Sequence, residues 1–209
     1  MKRRTLLALP LTALPLCPVQ AQQVPLTPQN AADINRAEAY LNSIHTLKAH
    51  FFQVGPNGGT AEGTAWLERP GRMRFEYDPP TPYVLVAGHG VVLFHDKQLN
   101  QTSNYPTAST PLGILLADKI ILGGDILVTQ IGRQPGQLEL TLARSASPGD
   151  GSITLAFSEN PLTLRQWILI DAQRRETRVS LYDVQLGGSF DQSLFNVASP
   201  DYQPAPNTR

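Results

Sequence analysis

The sequence predicts a mainly β protein with a few α-helices, folded as an antiparallel meander that curls into a barrel or a sandwich. Three observations predict it. Apolar residues alternate with polar ones over roughly ten short runs, the period of a strand with one buried face. Tight turn chemistry joins those runs, and only two stretches carry a helix-start signal.

The first helix opens at Thr27-Pro28, where the threonine can cap free amides and the proline suits the first helical position. From Pro28 to about Ser43, Ile34, Ala37, Leu41 and Ile44 recur at helical spacing, which predicts a surface helix packed on a sheet. The period then changes to two. Leu47, Ala49 and Phe51 alternate with Lys48, His50 and Phe52, and Ala61, Gly63, Ala65 and Leu67 alternate with Glu62, Thr64, Trp66 and Glu68. After a Pro70-Gly71 turn, Met73, Phe75 and Tyr77 oppose Arg72, Arg74 and Glu76, which read as the solvated outer face of a strand. Arg69, just before the turn, belongs to neither pattern.

Further strands are expected over 82–87, 91–95, 99–103, 125–131, 138–144, 152–158, 162–171 and 177–186, with a short one over 190–197. Gly88-His89-Gly90, Pro135-Gly136, Glu159-Asn160-Pro161 and Gly187-Gly188 supply turns. One stretch, TPLGILLADKIILGG (110–124), interrupts the meander. Thr110-Pro111 repeats the first helix's start, which predicts a short apolar helix that plugs a barrel mouth or joins the core. The polar, proline-rich residues 201–209 read as a disordered tail.

Lys2, Arg3 and Arg4 precede an apolar run from Leu6 to Leu16, with small residues at Val19 and Ala21. Residues 1–21 are therefore expected to be a secretory signal peptide, its apolar run too short to span a bilayer. Leu16 before Cys17 argues against lipidation there. The mature chain is expected outside the cytoplasm as a single domain, 22–200. Removing 21 of 209 residues leaves 188 without any cysteine, and 14 basic residues then face 17 acidic ones, a net charge of −3. That composition excludes a disulfide framework and disfavours a nucleic-acid partner.

Signs of catalysis are missing. His45, His50, His89 and His95 show no metal-ligand spacing, and no nucleophile elbow, P-loop or dinucleotide fingerprint occurs. Asp96, Asp171 and Asp183 fall at strand ends or turns, where carboxylates usually serve the backbone. No catalytic residue, metal or cofactor is expected, and the chain reads as a non-enzyme.

The runs LKAHFFQ (47–53), EGTAWLERPGRMRFEY (62–77), LVAGHGVVLFHDKQLNQ (85–101), TPLGILL (110–116), LRQWILIDAQRRETRVSL (164–181) and LFNVASP (194–200) resemble the periplasmic lipoprotein carrier family, LolA, in order and spacing. The resemblance implies an incomplete, unclosed antiparallel β-barrel with a helical lid over an apolar cavity. It implies a carrier that takes acylated lipoproteins from an ATP-driven inner-membrane transporter to an outer-membrane receptor, as a monomer. Arg69 matches the arginine that latches the family's lid. Leu47, Phe51, Met73, Phe75, Leu112 and Leu115 are the expected acyl-chain cavity residues. Gly113 stands where the family carries a bulkier lid residue, and Arg72 and Arg74 add charge.

The physics suits such a task. Each buried methylene is worth about 0.8 kcal/mol, so acyl chains do not cross water unaided. A movable apolar element should fill the empty cavity, and a charge-assisted hydrogen bond of about 1.5–3 kcal/mol is the right size for its latch. By its neighbours alone, Arg69 is better read as pairing with Glu68 or Asp78 on the surface; the resemblance reverses that preference in favour of the latch. A related carrier of another lipid or a glycolipid, and a secreted β-rich hydrolase, are the competing readings.

Overall fold

The computed structural model describes residues 22–202; the expected signal peptide, 1–21, and residues 203–209 of the expected tail lie outside the described residues. Helix α1 (Pro28–Ser43) leads into β1 (Thr46–Val54), β2 (Thr60–Glu68), β3 (Arg72–Tyr77), β4 (Tyr83–Gly88), β5 (Val91–Asp96) and β6 (Gln101–Pro106). A crossover, 107–125, then leads to β7 (Ile126–Gln134), β8 (Gln137–Arg144), β9 (Gly151–Ser158), β10 (Thr163–Asp171) and β11 (Glu176–Leu186).

The strands form one 11-stranded sheet in the order β6-β5-β4-β3-β2-β1-β11-β10-β9-β8-β7, every pairing antiparallel. The first and last strands are thus central partners, while the sequence neighbours β6 and β7 are opposite edges. The barrel is unclosed, and the crossover runs from one edge to the other past the β2–β3 turn, where Gly71 N donates to Leu116 O. Register shifts at Lys48/His50, Val128/Gln130 and Leu164/Gln166 bend the strands as bulges do. The edge of β7 is shielded by the segment before α1: Val24 N donates to Val128 O, and Val128 N donates to Gln23 Oε1.

Alternation sorts the strands as the sequence predicts. Met73, Phe75 and Tyr77 are buried, and Leu138, Leu140, Leu142, Ile153, Leu155 and Phe157 are almost inaccessible. Aromatic rings run through this interior: Phe51 stands 4.8 Å from Phe75 and 5.1 Å from Tyr77, and Phe75 meets Trp167 edge-on at 6.0 Å. Burial pushes the Tyr77 phenol up to about 12, and its hydroxyl donates to Gln53 Oε1. Gly63 is required here, because a Cβ would lie 2.0 Å from the Glu76 carbonyl oxygen and 2.9 Å from the Phe51 ring.

Four expectations need correction. The one α-helix among the described residues is α1, and the predicted helix over 110–124 is a 3-10 turn (Pro111–Ile114) followed by irregular chain. The reason is that its carbonyls bond elsewhere. Leu116 O accepts from Gly71 N, Ala117 O from Arg69, and Ile120 O from Asn42. Strand β6 starts at Gln101 instead of Leu99, because the Asp96 carboxylate captures the amides of Gln98 and Leu99 in a turn. The expected strand over 190–197 is a 3-10 turn, Gln192–Phe195, capped by the Asp191 side chain.

The fourth correction concerns the outer face of β3–β5, which a strap of residues 190–202 covers. Tyr202, expected in a disordered tail, is only 8% exposed and packs with Val84, Val86, Leu93 and Val197. Arg74, expected in solvent, donates to Tyr202 Oη at 2.9 Å, to Leu194 O and to Glu76. His95 is satisfied by Thr102 and lies 5.5 Å from the Tyr202 ring. Burial raises the Glu76 carboxyl, but Arg74 and Lys97 outweigh it and hold the group below its usual value. A depressed carboxyl stabilises the fold above its unfolded pKa and loses that contribution as pH falls through the folded value. At 40% side-chain exposure this amounts to less than about 1 kcal/mol. Thermal melts of wild type and Glu76→Gln should therefore differ slightly at pH 7 and draw together as the pH falls through the folded value, below the ordinary glutamate range. A gap that persists unchanged at pH 3 would contradict the assignment.

Candidate functional site

The concave face of the sheet and a cover enclose an apolar hollow. Leu47, Ala65, Met73, Phe75, Leu164 and Trp167 supply the sheet side. The cover supplies Leu41 and Ile44 from the C-terminal end of α1, with Leu115 and Ile120 from the crossover. Only about 30 Å³ stays open to a water-sized sphere, room for one or two waters. The cover's own side chains fill most of the space.

Helix and crossover form one cover because polar groups stitch them together. Asn42 grips Ile120 at both ends: its Nδ2 donates to Ile120 O at 2.8 Å, and Ile120 N donates to its Oδ1 at 3.0 Å. Leu122 N donates to Glu38 Oε2 at 2.7 Å. At the other end of the helix, Asp33 accepts from Arg36 and from Arg133 of β7, and Arg36 also reaches Glu159 at 2.7 Å.

Arg69 joins the cover to the sheet. It sits between β2 and β3, beneath the last turn of α1. Nη2 donates to Leu41 O at 2.6 Å, Nε to Ile44 O at 2.7 Å, and Nη1 to Ala117 O at 3.4 Å. Leu41 O, which also accepts from Ile44 N, and Ile44 O lie at the negative dipole end of a helix that has no basic residue in its own last turn, and Ala117 O belongs to the crossover. Burial lowers the guanidinium's pKa, opposed by the charge of Asp118. Glu68 is not its partner; that carboxylate is engaged by Arg72 at 2.5 Å. Backbone bonds from Arg69 N to His45 O and from Gly71 N to Leu116 O extend the seam.

Leu47, Met73, Phe75 and Leu115 line the hollow, and Arg69 borders it. Phe51 and Leu112 are buried but do not line it: Phe51 stands behind Phe75, and Leu112 lies in the adjoining core. Sequence reasoning missed Leu41, Ile44, Ile120, Leu164 and Trp167. The stripe on α1 was the available signal, since Leu41 and Ile44 end it; nothing local marks that helix as part of a cover.

Among the described residues, no group of three or more His, Cys, Asp or Glu could hold a metal ion, and no helix is long and apolar enough to cross a membrane. The family model for the outer membrane lipoprotein carrier protein LolA matches residues 42–198. The chain is similar to the outer-membrane lipoprotein carrier protein of Methylococcus capsulatus, 29% identical over 94% of both chains. It is also similar to that of Chromohalobacter salexigens, 29% identical over 85% of this chain and 89% of the relative. Among solved structures, a LolA superfamily protein from Nitrosomonas europaea aligns with a TM-score of 0.43 and 9% identity, covering 83% of this chain and 98% of that one.

Proposed function

Because the chain belongs to the LolA family of outer membrane lipoprotein carrier proteins, we propose that it is a periplasmic shuttle for lipoprotein acyl chains. It receives acylated lipoproteins from an ATP-driven inner-membrane transporter and yields them to an outer-membrane receptor, acting as a monomer and without catalysis. Residues 1–21 would direct its export. The acyl chains would lie against Leu47, Met73, Phe75 and Trp167, with Phe51 and Leu112 backing the cavity and Leu115 displaced with the cover.

One observation carries this reading: the hollow is closed by an apolar cover whose seam with the sheet centres on Arg69, bonded to backbone carbonyls at the end of α1 and on the crossover. In water an open apolar hollow is unfavourable, so the cover stands in for absent cargo. Cargo that binds only the open form shifts the balance by its differential affinity, and each buried methylene contributes about 0.8 kcal/mol toward that. A few bonds from Arg69 are small enough for an acyl chain to outweigh.

Native mass spectrometry of protein isolated gently from its own periplasm, with lipoprotein release to the receptor blocked, should show a fraction carrying acylated lipoprotein. A bound glycolipid or other membrane lipid would point to the related carrier of different cargo. Recovery of protein free of any acylated species would count against a carrier of either kind.

A further inference from the structure

Arg144 ends β8 in phase with the inward-facing Leu138, Leu140 and Leu142. Its guanidinium lies against the crossover. A Cβ on Gly113 would fall 3.0 Å from Arg144 Nη2 and 2.3 Å from the Thr107 carbonyl oxygen, so only glycine lets the chain pass. Two polar atoms near this crossing, Arg144 Nε and Thr107 Oγ1, are sealed from solvent without a hydrogen-bond partner among the described residues. The backbone of Thr107 is fully engaged, donating to Gly90 O and accepting from Thr110 N and Oγ1. Arg144 takes part in none of the ion pairs of the described residues.

A sealed donor on a charged group, left unpaired, costs the closed state free energy that an apolar residue would not. Gly113 is flanked by Leu112 and Ile114, both members of the same apolar core as the hollow. Resting on the carrier reading above, we infer that Arg144 and Thr107 form a polar seat for the oxygen-bearing head end of an acyl group, an ester carbonyl or a carboxylate. The chain of such a ligand lies along the apolar interior. Its oxygens meet the guanidinium fork and the hydroxyl once the crossover moves aside, and the unpaired donors gain an acceptor. Opening is then favoured by the head of the cargo as well as by its tail.

The test measures binding of dihexanoylglycerol, its dihexyl ether analogue without carbonyl oxygens, and hexanoate, to wild type, Arg144→Leu and Thr107→Val. Wild type should prefer the ester over the ether, which matches it in chain number and length, by about tenfold or more. Arg144→Leu should abolish that preference while keeping its ether affinity, with Thr107→Val intermediate. Which of the two oxygenated ligands loses affinity identifies the source of the acceptor. An unchanged preference in both variants would overturn the seat and leave the carrier reading standing. Failure of wild type to bind even the ether would overturn both.

Discussion

Replacing Arg69 with leucine is expected to free the cover while leaving the sheet folded. The substitution removes donors from Leu41 O and Ile44 O at 2.6 and 2.7 Å, and a longer bond to Ala117 O. Hydrogen bonds from a charged group contribute about 1.5–3 kcal/mol each, so the closed form should lose roughly 2–4 kcal/mol after allowing for partial solvent access. That multiplies cover opening about thirtyfold or more. Hydrogen exchange should accelerate accordingly across 110–122 and stay unchanged in the amides of β8–β10. Acyl ligands should bind more tightly, because cargo no longer has to break the seam, and should be released more slowly to an acceptor. Arg69→Lys should fall between, since one ammonium does not reproduce a fork spread over three carbonyls. Unchanged exchange over 110–122 in Arg69→Leu would remove the latch.

Phe51→Ala should destabilise the whole fold. The ring is 1% exposed, packs against Phe75 and Tyr77, and lies over Gly63, where the backbone approach leaves nothing to collapse into the gap. A buried phenylalanine cut to alanine costs roughly 3–5 kcal/mol, a large share of the 5–15 kcal/mol typical of native proteins. Urea unfolding should show a lower midpoint with little change in slope. A loss below about 1 kcal/mol would mean that the interior behind the hollow is loosely packed rather than close-packed.

Most of the sheet was legible in the residues. The alternation in 47–53, 62–68 and 73–77 places the same side chains inside that the fold buries, because a period of two has one physical outcome once one face is covered. Turn chemistry separated the strands for the same reason. Yet one-sided alternation does not say what lies on the other face. Arg74 and Glu76 look like solvent residues by pattern, and only the return of 190–202 across β3–β5 covers Arg74 and leaves its partner Glu76 half-exposed at the rim. A hint existed in β4, where Val84 and Val86 are apolar on the face that alternation leaves outside. The crossover was hidden differently. Its apolar run reads as a helix, but its carbonyls are bonded by Gly71, Arg69 and Asn42, partners remote in sequence. The cover is therefore an assembly of α1 with 107–125, and no local window contains it. Arg69 stood out as a misfit, while its true partners, the end of α1, did not.

The central claim is that α1 and the crossover leave the hollow together when an acyl chain enters. Spin labels at Ile121→Cys, exposed on the crossover, and Gln185→Cys, exposed on β11, in a chain lacking Cys17, report that movement as a distance. Adding a diacylated lipopeptide at saturation should replace one narrow distribution by a longer and broader one, with the same change produced in part by Arg69→Leu alone. A distribution that stays fixed while the lipopeptide binds one to one would show that cargo sits elsewhere and that the cover never opens for it.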